Sequence, residues 1–196
     1  MTTTTKKTTT KTVKVKTTKI PVLSKIPFAF EVLDAASKQR TKAKKIEVLK
    51  TYAHDSIMAL LIWNFDETAI SLLPEGDVPY GNTREDNSVT GTLSDKINDA
   101  VGKMSEMGSN SLGSQDQGKA SIRKEYTKFY NFLKGGNNSL NSLRRETMFI
   151  NILEGLHPLE AEILILVKDK KLTDKYKITK EVVSEAYPQI TWGGRS

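Results

Sequence analysis

From Phe28 onward, apolar residues return along most of the chain at the spacing of an α-helix. The stretch FAFEVLDAASKQ predicts a first helix over 28–39. Thr41, a hydroxyl residue just ahead of the next periodic run, predicts the cap of a second helix over 41–53. Asp55 stands as the cap of a third over 55–65 (SIMALLIWNF), and Asp66 as the cap of a short fourth over 66–73 (ETAISLL) that Pro74 ends. Leu93, Ile97, Val101 and Met104 mark an amphipathic helix over 93–107, weakened by Gly102. The clearest pattern is 119–134, where Ile122, Tyr126, Phe129, Tyr130, Phe132 and Leu133 share one side of a helix that Gly135 and Gly136 stop. Over 140–156 the apolar arc is wider (Leu143, Met148, Phe149, Ile150, Ile152, Leu153, Leu156), as expected of a central helix.

Pro158 fits the first turn of a helix over 158–168, with Glu160 and Glu162 near its positive end. Its ILILV run is also short enough to read as a strand, so periodicity alone leaves both open. KDKKL leads out of it, and Thr179 opens a last helix over 179–187 that Pro188 closes.

Between these elements the composition changes. Residues 74–92 read as a flexible loop and 108–118 (GSNSLGSQDQG) as a flexible linker. Residues 1–20 are almost wholly Thr and Lys, with too little apolar surface to offset the entropy of ordering, which predicts a disordered tail. Its VKVK stretch also has the character of a strand that could add to a partner's sheet edge. The expected fold is mainly α: a compact multi-helix bundle over 21–190, a long mobile loop and linker excursion, the disordered N-terminal tail and a short tail at 191–196.

Charge changes this picture only locally. Six of the chain's 30 Lys and Arg residues lie in 1–19 with no acid, which leaves 24 basic against 23 acidic residues in the rest. The high pI therefore belongs to the tail, and an argument from net charge has to be local. The absence of cysteine excludes disulfides and thiolate chemistry. The longest apolar run, Ile57–Trp63, is far short of the roughly 20 residues a membrane span needs. The basic N-terminus lacks the apolar block of a signal peptide. A cytoplasmic protein with no membrane partner is expected.

Candidate chemistry is sparse. Gly113–Lys119 (GSQDQGK) matches the opening of a phosphate-binding loop, but Ala120 replaces the metal-binding hydroxyl and no apolar strand precedes it. A nucleotide-binding enzyme is thus a remote alternative. His54 and His157 each fall at a predicted helix boundary, which suits capping better than catalysis or zinc binding. No GxSxG elbow is present, and the acid pairs Asp66/Glu67 and Glu160/Glu162 sit where helix starts favour negative charge. Arg145 and Glu146 fall inside the apolar arc of their helix. Pairing with buried partners is one reading, an exposed first turn the favoured one. No catalytic residue, metal ligand or cofactor is expected.

Basic clusters carry the best-supported function. They comprise Lys6, Lys7, Lys11, Lys14, Lys16 and Lys19 in the tail, then Lys38, Arg40, Lys42, Lys44 and Lys45 in SKQRTKAKK. Lys119, Arg123, Lys124, Lys128 and Lys134 follow on the aromatic helix, against the single acid Glu125. Such faces can neutralise phosphates with release of counterions, giving salt-sensitive binding of nucleic acid without sequence preference. The plainer reading is a set of solvated helix faces.

Four stretches, WNFDETAISLLPEGDVPY (63–80), FYNFLKGG (129–136), RRETMFINILEGLHPLEAEILILVKDKKL (144–172) and ITKEVVSEAYP (178–188), resemble a family of uncharacterised proteins of T4-like tailed phages, many from phages of marine cyanobacteria. The resemblance spans most of 28–190, leaving out the Thr/Lys tail and the 83–118 region. It implies action inside an infected bacterium or in the virion, and no particular activity. The expectation is a non-enzymatic phage accessory protein that binds nucleic acid or a complex carrying it, in the host cytoplasm. The alternative is a virion structural or head-associated protein.

Overall fold

The structure is a computed structural model that describes residues 20–76 and 120–195. The predicted disordered tail, the 93–107 helix, the 108–118 linker, the GSQDQGK motif and all of the 74–92 loop after Gly76 lie outside the described residues. Among those described, the fold is mainly helical, with eight α-helices and one 3₁₀ helix.

α1 (Ala29–Ser37), α2 (Lys42–Thr51) and α3 (Asp55–Phe65) follow one another with short joints. Thr41 Oγ1 accepts the Lys44 amide at 3.4 Å and so caps α2. His54, one residue before the expected Asp55, is the cap of α3. α4 (Ile122–Glu125) passes directly into a 3₁₀ helix (Tyr126–Phe132), and α5 (Ser142–Gly155) and α6 (Pro158–Lys168) follow. The ILILV run is therefore helical. α7 (Leu172–Lys175) and α8 (Lys180–Ala186) complete the order.

α3 is central: it packs on α4, the 3₁₀ helix and α6, while α1 packs on α2 and α6, and α2 on α8. Its apolar circumference (Ile57, Leu60, Leu61, Trp63) is fully enclosed with Ile163 and Leu164 of α6. Side chains of this size each contribute about 1.5–3 kcal/mol on burial.

Two predicted helices take other forms. Residues 66–73 are not helical. The Asp66 carboxylate accepts the amide and hydroxyl of Thr68 at 3.0 and 2.8 Å, a local arrangement that competes with helix formation. The chain then runs extended, and Ser71 bridges antiparallel to Leu133, with Leu72 N donating to Phe132 O at 2.8 Å and Lys134 N to Ile70 O at 2.9 Å.

The 119–134 stretch is a continuous α-helix only over α4. Beyond it the 3₁₀ form takes over, because three residues per turn stack Tyr126, Phe129 and Phe132 along one edge. Phe129 and Phe132 both reach Trp63, with ring centroids at 5.5 and 6.0 Å. Tyr130, off that edge, is exposed. The turn after it requires Gly136, where a Cβ would lie 1.9 Å from the Tyr130 carbonyl oxygen.

Candidate functional site

Of the basic residues proposed as a nucleic-acid surface, Lys6, Lys7, Lys11, Lys14, Lys16, Lys19 and Lys119 lie outside the described residues. The others fall on two separate groups of elements.

The first group occupies the α1–α2 corner. Lys38 pairs with Asp34 at 2.6 Å one turn earlier in α1. Lys42 reaches Glu185 of α8 at 2.6 Å, a hydrogen bond that raises its pKa. Lys45 donates to the Lys177 carbonyl, Lys44 is half-buried and Arg40 exposed.

The second group lies on α4 and the 3₁₀ helix. Arg123 leans back 3.5 Å from the Pro27 carbonyl, and Lys128 pairs with Glu125 at 2.6 Å. Lys124 is exposed. Pairs whose lysine is exposed contribute little to stability, so a phosphate oxygen can displace the carboxylate at little cost. Both faces are nevertheless partly neutralised by their own acids.

The buried charges are used as internal ties, a role the sequence suggested only for Arg145, and there as the less favoured reading. Glu160, in the first turn of α6, accepts the Ala29 amide at 3.1 Å and the Ile122 amide at 2.9 Å, so one carboxylate holds the starts of α1 and α4. Burial raises its pKa despite those two bonds.

Arg145 is buried, not on an exposed first turn as favoured from the sequence. It donates to the carbonyls of Asn131, Asn137 and Leu140 at 2.8, 3.1 and 2.9 Å and so fixes the loop between the 3₁₀ helix and α5. Its place inside the apolar arc was the signal for this.

At the other end of α6, Lys168 donates to the carbonyls of Pro74 and Gly76 and pairs with Asp169. α6 thus grips the described chain both where it stops at Gly76 and where it resumes at Ala120–Ile122.

Asp66 gathers the C-terminal segment: it accepts the Gly193 amide at 2.9 Å and pairs with Arg195, while Arg195 N donates to Thr68 Oγ1 at 3.3 Å. Burial alone would raise the Asp66 pKa, but the Gly193 and Thr68 hydrogen bonds and Arg195 outweigh it and bring it from 3.8 down to about 2. With the folded value below the unfolded one, the contribution of Asp66 is present above about pH 4 and disappears as pH falls through about 2. Asp66→Asn is therefore expected to flatten the stability profile across that window. Urea midpoints at about pH 5 and about pH 2.5 measure it; an unchanged difference between the two pH values would refute the assignment.

Each histidine has a capping role. His54 Nδ1 accepts Ser56 N at 3.1 Å, and His157 Nδ1 accepts Leu159 N at 3.2 Å. Among the described residues no three His or acidic side chains converge as a metal site, and no helix is long and apolar enough to cross a membrane. A groove beside α5, lined by Leu143, Met148 and Ile152 together with Lys128 and Arg144, contains neither histidine.

Residues 32–106 and 107–174 match a family described as a family of unknown function (DUF6433). The chain belongs to this family. The DUF6433 match covers α2 to α6 whole and most of α1 and α7, and with them Glu160, Arg145 and Lys168. No curated protein and no solved structure matches the chain.

Proposed function

We propose that this DUF6433 protein is a non-enzymatic accessory protein of a tailed phage that engages nucleic acid, or a complex carrying nucleic acid, in the infected bacterium. The observation that carries this reading is the segregation of charge. Six lysines stand without one acid in 1–19, while Lys38, Lys42 and Lys128 of the helical body each lie against a carboxylate. The Thr/Lys segment is therefore the main contact, with Arg40 and Lys124 as secondary ones. Each phosphate it neutralises releases condensed counterions. A phage origin is supported by the four stretches that resemble proteins of T4-like phages.

Filter binding of the full chain to single- and double-stranded DNA and RNA, titrated in salt, tests the proposal. For duplex DNA with all six tail lysines engaged, log K is expected to fall with log salt at a slope of about −5. Changing those six lysines to glutamine should leave only a shallow slope of about −2, the share of Arg40 and Lys124. No retention of any nucleic acid at low salt removes the proposal. Many copies per purified phage particle, measured by mass spectrometry, would instead favour a head-associated role in which the same segment faces packaged DNA.

A further inference from the structure

The chain has two histidines, and both do the same job. Each directly precedes a helix, and its Nδ1 accepts the amide of that helix's second residue: Ser56 in α3 and Leu159 in α6. A ring nitrogen accepts only while it carries no proton, so this geometry fits neutral rings with hydrogen on Nε2; at His54 the Ser56 hydroxyl, 2.8 Å from Nδ1, then donates to the same nitrogen. Adding a proton places hydrogen on Nδ1, removes both caps and sets a positive charge against the positive end of each helix.

The two caps adjoin one junction. His157 lies against Phe28, the residue just ahead of α1, and Phe30 of α1, with ring centroids at 5.6 and 5.1 Å, beside Glu31 of α1. Glu160, one turn further along its own helix, ties α1 to α4. His54 meets Tyr126 edge-on at 6.0 Å and feels Arg123 of α4 and Asp55 of α3. Arg123 in turn donates to the Pro27 carbonyl just ahead of α1.

We propose that His54 and His157 form an acid-sensitive latch, whose protonation releases the caps of α3 and α6 and loosens the junction where α1, α3, α4 and α6 begin.

The surrounding charges fix the sign. Burial lowers the pKa of His54, Arg123 lowers it further, and Asp55 opposes. Burial lowers that of His157 against the opposing pull of Glu31. With both folded values below 6.5, the histidine contribution is present above about pH 6.5 and is lost as pH falls below it. Glu160 acts in the other direction. Its raised pKa means that protonating it favours the folded chain, an effect lost again as pH rises through its folded value. A pH profile of the wild type alone therefore mixes the two, and the histidines have to be isolated by substitution.

Asparagine caps a helix through its side-chain oxygen and does not titrate in this range. Native-state hydrogen exchange of the Ser56 and Leu159 amides at about pH 7.5 and about pH 5.5, in the full chain and in His54→Asn/His157→Asn, tests the latch. Corrected for intrinsic rates, the wild type should lose about fivefold in protection at each amide on acidification, the worth of a typical cap. The double variant should lose less than twofold. Equal losses in both proteins would overturn the latch. Nitrogen-15 spectra of the wild-type histidines supply a reading independent of the variants: the Nε2–H tautomer at pH 7.5 supports the latch, and protonated Nδ1 at that pH overturns it.

Discussion

Glu160→Ala is expected to lower the stability of the folded chain by about 3–5 kcal/mol, as two buried hydrogen bonds to a charged acceptor, at about 1.5–3 kcal/mol each, are lost together. The side chain is 1% exposed, and its two oxygens are divided between Ala29 N and Ile122 N, amides 93 positions apart in sequence. Both amides belong to first helical residues, which have no acceptor within their own helices. Alanine leaves them buried and unmatched, and also removes a negative charge from the start of α6. Glu160→Gln should be milder, at about 1–2 kcal/mol: it keeps one acceptor oxygen and relieves the burial of charge that raises the carboxyl pKa. Urea denaturation at neutral pH measures the losses, and hydrogen exchange at Ala29 and Ile122 localises them. A Glu160→Ala protein within about 1 kcal/mol of wild type would show that Glu160 does not hold the two helix starts.

Glu160 also shows where the sequence is legible and where it is not. Its helix could be read over Pro158–Lys168 because the start signal is local: proline in the first turn, acids behind it and an apolar run after. The same residue's reach to α1 and α4 has no local signature, since an acid in a first turn is favourable whether or not it is buried. Asp66 misled for a similar reason. Read locally it caps a helix, but it instead gathers Thr68, Gly193 and Arg195, and the residues after it pair with Leu133, more than sixty positions away. In 119–134, spacings of 3.0 and 3.6 diverge too little over seven residues to be separated by eye. Tyr130 and Leu133 favoured the α-helix, while Tyr126, Phe129 and Phe132 follow the tighter spiral that brings two rings against Trp63.

The basic residues divide on the same principle. Lys38 with Asp34 and Lys128 with Glu125 sit four and three positions apart, so their pairing could be read from spacing. Lys42 with Glu185 joins α2 to α8 across most of the chain, which only the folded structure reveals. Charge density along a sequence thus overstates the free positive charge of a folded face, and it does so most where helices from distant segments meet.

Lys168→Met is the counterpart of the Glu160 change at the far end of α6, with an expected loss of about 3–5 kcal/mol, the usual result of removing one partner from a buried ion pair. The Lys168 side chain is 1% exposed and that of Asp169 9%, so methionine fills the space of the stem but leaves a carboxylate without its cation. It also strips the carbonyls of Pro74 and Gly76 of their donor, while Asp169 Oδ2 still accepts the Gly76 amide at 3.2 Å. Adding Asp169→Asn should recover much of the loss, because the amide removes the orphaned charge and keeps an acceptor for Gly76. A double-mutant cycle by urea denaturation should then give a coupling above about 1.5 kcal/mol between the two positions. Additive losses would mean that the pair is incidental. The cycle bears on more than one ion pair, since α6 holds Ala29 and Ile122 through its first turn and Pro74 and Gly76 through its last residue. Weakening either end alone should loosen either the Pro74–Gly76 segment or the starts of α1 and α4, and leave the α3–α6 core closed.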